Sequence, residues 1–466
     1  MVRSPASLDA SEDRTVTAGP AGPASPTDAP GPVRVLIVDA GTELPEVSPK
    51  RAAGGRYVAA LIFAVRDGHL VGEVELPLGD QPVSGPELDD QLRRALGDRW
   101  TGGVPPAEPV VNTPLGDTPF ISVVVPTTMH HPEQLDRCLT SLLALDYPDF
   151  EVILVDNRPD ATTARADLHA RLSRYPRVRV VSEPRPGISA ARNHGVRVAR
   201  GELVAFTDDD AVAHPGWLRG IGRRFAAEPD VDCVSGVVLP AELETPVQIW
   251  FERSGSKLGQ CYRPVSFHND GAWRTRWLGG LRRARFEITA TTGDRAPAEK
   301  YPEKRPTEKH LVYRAGKFGM GANIAFRREA LRRIGWFDET LGTGTSSRGG
   351  EDIAAIARLL HQGGRVTLDP ASIVLHYHRP DYPGSLRQMY GYGVGATAAL
   401  AATIRSDPRH LVGLVYLVAP GVRLLFGRSA DRRADSYPKE LSRMELRGLV
   451  AGPFAYVRSV LTHARS

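Results

Sequence analysis

Gly201-Glu202-Leu203-Val204-Ala205-Phe206-Thr207-Asp208-Asp209-Asp210 runs from a short apolar strand pattern into three adjacent carboxylates. Like charges at that density repel, and each prefers to stay solvated. A fold accommodates them at a strand end when a divalent cation shares their oxygens. Hard cations such as Mg2+ or Mn2+ take carboxylates and often share them with a substrate phosphate. A bare acidic triplet also reads as a solvated turn, so the neighbouring segments decide between the two.

Working outward, Ile121-Ser122-Val123-Val124-Val125-Pro126-Thr127 is an apolar, β-branched run stopped by proline, the pattern of a buried parallel strand. Glu133 to Leu145 places Leu135, Leu139, Leu142 and Leu143 at helical spacing. Glu151 to Val155 is a second strand, ending in Asp156-Asn157, and Val178 to Val181 is a third. Gly187-Ile188-Ser189-Ala190-Ala191-Arg192-Asn193 opens another helix, with Ser189 as its N-cap. The next strand delivers the acidic triplet. Strands and helices alternate, and polar residues stand at successive strand ends, where open α/β sheets bind ligands. Thr127, Asp156, Asp208, Asp209 and Asp210 are therefore expected around one crevice.

These segments, taken in order, resemble the nucleotide-sugar half of family 2 glycosyltransferases: Val-Pro-Thr, Val-Asp-Asn, Gly-Ile-Ser-Ala-Ala-Arg-Asn and Phe-Thr-Asp-Asp-Asp. The second half matches too. Gly319-Met320-Gly321-Ala322-Asn323-Ile324-Ala325-Phe326 is similar to the acceptor-side strand, and Gly335-Trp336-Phe337-Asp338-Glu339 follows it. Gly349-Gly350-Glu351-Asp352 resembles the segment bearing the catalytic base, and His376-Tyr377-His378-Arg379 the C-terminal histidine segment. The resemblance covers residues 119 to 395. It implies a GT-A fold, one mixed and mainly parallel sheet flanked by helices, and an inverting transfer from a metal-bound nucleoside diphosphate sugar, with UDP or dTDP as the expected nucleotide. The acceptor would be a hydroxyl on a glycan, a lipid-linked glycan or a small natural product, as in polysaccharide or cell-wall biosynthesis.

The resemblance also implies roles. Asp210 would contact the metal directly, with Asp208 touching metal, its water or the ribose and Asp209 on the donor side. Asp156 would bond the nucleobase beside Thr127, and Arg192, near a helix N-terminus, reads equally as facing the base or a phosphate and as an ordinary surface arginine. Asp352 would be the general base, with Glu351 supporting it or contacting acceptor. Acids at a helix N-terminus also simply suit the helix dipole. His376 and His378 alternate on one strand and so share a face; His376 would be the metal ligand, and His378 and Asn323 would stand on the acceptor side. Trp217 reads as core. Gly344 to Gly350 reads as a mobile loop closing before the base. His130 and His131 lie in the first strand-helix loop, near the donor or on the surface.

The remaining chain sets bounds. With 466 residues, 41% hydrophobic and 24% charged, there is room for more than one domain. The net charge of +5 suits a phosphorylated donor or an anionic membrane surface. No nucleic-acid module or basic-aromatic strip is apparent, so no nucleic-acid partner is expected. Cys138, Cys233 and Cys261 lack metal spacing and fit a reducing compartment. Residues 1–32 lack a signal-peptide core and read as a disordered tail. Residues 33–100 read as a small α+β unit with strands at Val33 to Val38, Tyr57 to Val65 and Leu70 to Leu76, an Asp67-Gly68 hairpin and a helix from Pro86. Residues 101–118 form a linker. Residues 253 to 317 read either as the acceptor pocket, with Trp273 and Trp277 stacking on an acceptor or buried, or as a disordered loop. Residues 396–466 read as a helical extension. In it, Leu411 to Val422 is too short to span a membrane, and Arg423 and Arg428 beside Leu424-Leu425-Phe426 suggest either an interfacial helix or a buried pair. The expected location is cytoplasmic, with peripheral contact at the inner face of the plasma membrane.

Two other functions fit parts of the pattern. A nucleotidyltransferase would want a Gly-rich, basic loop after the first strand, which Val125-Pro126-Thr127-Thr128 does not supply. A non-catalytic sugar-nucleotide or glycan-binding module would not need the acidic triplet, Asp352 and His376 together.

Overall fold

The computed structural model describes residues 29–102, 118–159, 166, 168, 170–172, 175–253, 261–268, 274–278, 281–285, 289–292, 319–411 and 437–464. The tail, most of the linker, most of 253 to 317 including Trp273 and the side chain of Trp277, and the apolar run after Leu411 lie outside the described residues.

The N-terminal unit comprises strands β1 (Val33–Asp39), β2 (Ala59–Arg66) and β3 (His69–Pro77), helix α1 (Gly85–Leu96) and the short α2 (Asp98–Thr101). β1 and β2 pair in parallel, and β2 and β3 form the hairpin at Asp67-Gly68, where both residues have positive φ. Ser84 caps α1 through the Glu87 amide, with Pro86 in the first turn. One face of this sheet packs on α1 through residues such as Ile62, Leu88 and Leu92. The other face shares a core with the large sheet: Leu61, Phe63 and Leu70 pack with Val237, Leu239 and Ile373.

The large unit runs β4 (Ile121–Thr127), α3 (Pro132–Leu143), β5 (Phe150–Asp156), β6 (Val178–Ser182), α4 (Ile188–Val198), β7 (Leu203–Phe206), β8 (Ala211–Ala213), α5 (Trp217–Ala227), β9 (Cys233–Pro240), α6 (Pro246–Arg253), β10 (Val265–His268), β11 (Arg274–Leu278), β12 (Leu281–Arg285), β13 (Thr289–Thr292), β14 (Ile324–Arg327), α7 (Arg328–Arg333), α8 (Glu351–His361), β15 (Arg365–His376), α9 (Tyr382–Ser406) and α10 (Lys439–His463). The sheet order is β13-β10-β15-β9-β14-β7-β4-β5-β6, with β8 added to the end of β15. β7, β4, β5 and β6 are parallel; β14 runs against both β7 and β9. This is the mixed, helix-flanked α/β sheet expected. β4, β5 and β7 are buried along their whole length, which is why they read as unbroken apolar runs.

One local expectation needs correction. Gly187, not Ser189, is the N-cap of α4; Ser189 is the second helical residue, and its hydroxyl donates to the Leu341 carbonyl at 2.9 Å. The three cysteines are buried and form no disulfide. No helix among the described residues is long and apolar enough to cross a membrane.

The C-terminal helices dock on the end of α8. His361 stacks on His410 with ring centroids 3.9 Å apart. Burial and then the neighbouring imidazole push the His361 pKa down from 6.5 to about 3, against a weaker pull from Asp407. Between those two values the unfolded chain binds a proton that the folded chain refuses. Stability is therefore whole above pH 6.5 and falls as the pH drops. By pH 5 the loss from this group should be about 1–2 kcal/mol. His361→Gln should lose less stability between pH 7.5 and pH 5 than the parent in denaturant titrations. Parallel losses in both proteins would remove His361 as a cause.

Candidate active site

Two strand pairings gather the site. β4 and β5 are in register so that Thr127 lies opposite Asp156 at the carboxyl edge. β8 folds back antiparallel onto β15, setting Ala211 opposite His376, and the Tyr377 amide donates to the Asp210 carbonyl at 3.2 Å. The far end of β15 is thereby laid beside the acidic triplet. Asp208, Asp210 and His376 each offer a ligand atom, all within 4.8 Å of one another and all half-buried. His376 Nε2 is 3.1 Å from Asp210 Oδ1. Burial opposes both charges, but the partner's charge, the hydrogen bond between them and other nearby charges together outweigh it. Asp210 is held below its usual range, helped by Arg379, and His376 above its own.

The middle carboxylate has a different environment. Asp209 accepts a hydrogen bond from the Thr127 hydroxyl at 2.5 Å, and that oxygen accepts from the Met129 amide at 3.0 Å. Burial raises the Asp209 pKa to about 6, partly offset by Thr127 and reinforced by the flanking aspartates. Asp208 is also raised, by burial and by Asp210 against the pull of Arg192.

Arg192 is the hub. It is 1% exposed, donates to Glu351 at 2.7 Å through one amino group, and sits 3.2 Å from Asp208 through the other. Its guanidinium lies 6.0 Å from the Phe206 ring centre and 5.6 Å from that of Phe337. The surface reading of Arg192 is therefore wrong, and it faces two acids rather than open solvent. Glu351 and Asp352 open α8 as expected. Burial and then Asp352 push Glu351 up to about 7, against Arg192. Asp352 is more accessible; its Oδ2 accepts from the Gly321 amide at 2.8 Å and Oδ1 from the Ile353 amide at 2.7 Å.

Other expected residues are placed differently. Asp156 is fully buried at its strand end and holds Arg158 at 2.6 Å. Asn323 is also fully buried, with its amide donating to the Val237 and Ser372 carbonyls and accepting from the Trp217 indole. Every polar atom of that side chain is committed inside the sheet, so it braces strands and does not face an acceptor. Trp217 is core as read. His378 is 8% exposed, bonds Glu252 at 3.2 Å and packs on Phe251, with its ring 6.1 Å from that of His376. His131 meets Arg379 at 3.1 Å. The segment before Glu351 is tied down: Ser347 is buried and donates to the Thr340 carbonyl, and the Ile188 amide donates to Thr343.

Three contributors escaped the sequence reading. Arg379 acts on Asp210 through its charge. Tyr392 of α9 stands half-exposed within electrostatic reach of Asp210, Asp208 and Asp352, with its ring 6.0 Å from that of Phe251. Asn157 donates to the Glu183 and Arg185 carbonyls and accepts from the Gly187 amide, which sets the entry to α4 and so the place of Arg192. Its signal was the Val-Asp-Asn run at the strand end.

Residues 122–335 match the profile of glycosyl transferase family 2. The chain carries a family 2 glycosyl transferase domain. The chain is 38% identical over 94 residues to an uncharacterized glycosyltransferase of Bacillus subtilis, covering 20% of this chain and 26% of that one. It is 27% identical over 284 residues to the pre-mycofactocin glycosyltransferase of Mycobacterium tuberculosis, covering 60% of this chain and 47% of that one. The match thus spans less than half the length of both relatives. Among solved structures, a mannosyltransferase of Pyrobaculum calidifontis in complex with GDP-Man and Mn2+ aligns at 18% identity and a TM-score of 0.43, over 72% of this chain and 88% of that one.

The Arg192 bridge makes a stability prediction for the family 2 domain. Arg192→Met leaves Asp208 and Glu351 facing each other without a cation, which should cost about 3–5 kcal/mol. Arg192→Lys should recover only part, because an ammonium cannot span two acids as a guanidinium does. Denaturant unfolding midpoints read both. A midpoint unchanged in Arg192→Met would show that the bridge is not structural.

Proposed function

We propose that this protein transfers a glycosyl group from a nucleoside diphosphate sugar to an acceptor hydroxyl, with inversion at the anomeric carbon. The observation that carries the reading is the convergence of Asp208, Asp210 and His376 within 4.8 Å, linked by Arg192 to the acidic pair that opens α8. Two carboxylates and an imidazole form a donor set that fits Mn2+ or Mg2+. A divalent cation bound there supplies charge neutralisation to the departing diphosphate. Arg379, whose charge already reaches Asp210, adds a second cation on the same side.

Asp352 is the proposed general base. It is the more accessible acid of its pair, and two backbone amides fix its carboxylate. It takes the acceptor proton as the hydroxyl attacks the face opposite the leaving group, hence inversion. Glu351, turned onto Arg192, holds the arginine and leaves Asp352 to the acceptor. Thr127 and Asp156 line the end of the sheet where the nucleobase and ribose of a UDP- or dTDP-sugar are taken. The acceptor is a glycan, a lipid-linked glycan or a natural product. A lipid-linked acceptor would place the enzyme on the inner face of the plasma membrane as a peripheral protein.

Calorimetry with a panel of nucleoside diphosphates and their sugars, with and without Mn2+, tests the donor site. One nucleotide should bind tightly only with metal, and Asp210→Asn should abolish that binding; equal binding by the variant would take Asp210 out of the metal site. His376→Ala should weaken metal affinity, and no change would return it to a structural part. Asp352→Asn should keep donor binding and lower turnover by about a hundredfold or more. Near-normal turnover would end its assignment as base. No donor binding under any condition would favour a glycan-binding module over an enzyme.

A further inference from the structure

The last helix presents a surface that the transfer reaction does not use. α10 buries Leu441, Gly448, Gly452, Tyr456 and Ser459. On its outer side Leu446, Val450, Phe454, Val457 and Leu461 are 43%, 66%, 75%, 57% and 56% exposed. Their spacing of i, i+4, i+8, i+11 and i+15 draws one stripe along the helix, about 22 Å long at 1.5 Å per residue. A helix that merely caps a water-soluble fold carries charged and polar residues there. Between Arg443 and Leu461 the other exposed positions are Arg443, Arg447, Pro453 and Arg458, and none is acidic. The helix has two acids. Glu440 accepts from the Tyr382 hydroxyl at 3.1 Å, and Glu445 falls on the far side of the helical wheel.

We propose that this face of α10 binds the interface of an anionic lipid bilayer, with the apolar stripe entering the acyl boundary and the arginines meeting lipid phosphates. Charge complementarity selects this occupant. The pattern of apolar centre and basic flanks is that of a helix lying in a membrane interface. A second copy of the chain, apposed face to face through a two-fold axis, would bring Arg447 of one copy against Arg458 of the other with no acid between them. The surface differs from the apolar run after Leu411 that the sequence suggested. Its link to catalysis rests on the proposed transfer: α10 packs on α9, α9 packs on the start of α8, and a lipid-linked acceptor held at the bilayer would stand two helices from Asp352.

The test uses the full-length protein, without donor or acceptor, in sedimentation with vesicles of phosphatidylglycerol mixed into phosphatidylcholine and with vesicles of phosphatidylcholine alone. Partitioning should be about tenfold or more stronger on the anionic vesicles and should fall with added salt. Val450→Ser/Phe454→Ser should reduce it about tenfold, with elution volume and melting temperature unchanged. Arg443→Gln/Arg447→Gln/Arg458→Gln should erase the preference for phosphatidylglycerol. Asp352→Asn should bind vesicles like the parent, so failure of the transfer reading and failure of this one are seen separately. Protein that stays in the supernatant with both vesicles overturns the proposal. So does a dimer, measured by light scattering, that Val450→Ser/Phe454→Ser dissociates, because a second copy would then be the occupant.

Discussion

The site is organised around a single buried cation. Asp208, Asp209, Asp210, Glu351 and Asp352 crowd one end of the sheet, and burial alone would drive protons onto them. It does so in part, raising Asp209 to about 6 and Glu351 to about 7. Arg192 limits the effect where the two acidic groups approach. Its own burial favours losing charge, but Glu351, Asp208 and Asp352 outweigh that and keep it a guanidinium. The flanking faces of Phe206 and Phe337 exclude water from it, which strengthens both ion pairs. Even with His376 and Arg379 beside Asp210, the positive groups are fewer than the five acids. That is the electrostatic condition under which a divalent cation is taken up.

The chain reaches this arrangement through long-range pairings. Arg192 and Glu351 are 159 residues apart, and Asp210 and His376 come together only because three residues, Ala211 to Ala213, turn back along β15. Asn323 holds the same junction from beneath, tying β9 to the bulged middle of β15 while its oxygen takes the Trp217 indole. A second buried pair, Arg224 with Asp369 at 2.7 Å and 2% exposure on each side, fastens α5 to that bulge. The irregular part of β15 is thus held by two buried polar side chains, close to the end where His376 meets Asp210.

What could be read from the sequence follows from the range of each signal. Buried parallel strands announce themselves as apolar runs, so β4, β5 and β7 were legible, and with them the edge on which Thr127, Asp156 and the triplet lie. Alternation placed His376 and His378 on one face, and their rings are indeed neighbours. Contact across the fold was not legible. The helical pattern around Arg192 does not say which face meets an acid in α8, and polarity at Asn323 does not say whether its partners are a substrate or two strands and the Trp217 indole. β8 is too short to show a period. The stripe on α10 does have a helical period, yet the same spacing marks any core-facing helix. Only its exposure separates the two meanings.

The two C-terminal helices are best understood through their seam. Tyr382 meets Glu440, Thr397 meets the Leu449 carbonyl and Arg405 meets Tyr456, so α9 and α10 run side by side in the same direction. A Cβ at Gly448 or Gly452 would run into the α9 backbone, which means the two backbones touch as in small-residue helix pairs. On its other side α9 touches Gly350, the N-cap of α8, which has φ of 87° and no room for a side chain against the Gly395 carbonyl. At these glycine contacts no side chain stands between the backbones to absorb a shift. Displacing α10 must therefore move α9, and moving α9 must press on the residue that immediately precedes Glu351 and Asp352. The C-terminal pair is in this sense part of the scaffold of the acidic pocket. It fixes from outside the helix start that Arg192 fixes from within, and that is a physical reason for the fold to carry two long helices beyond its sheet.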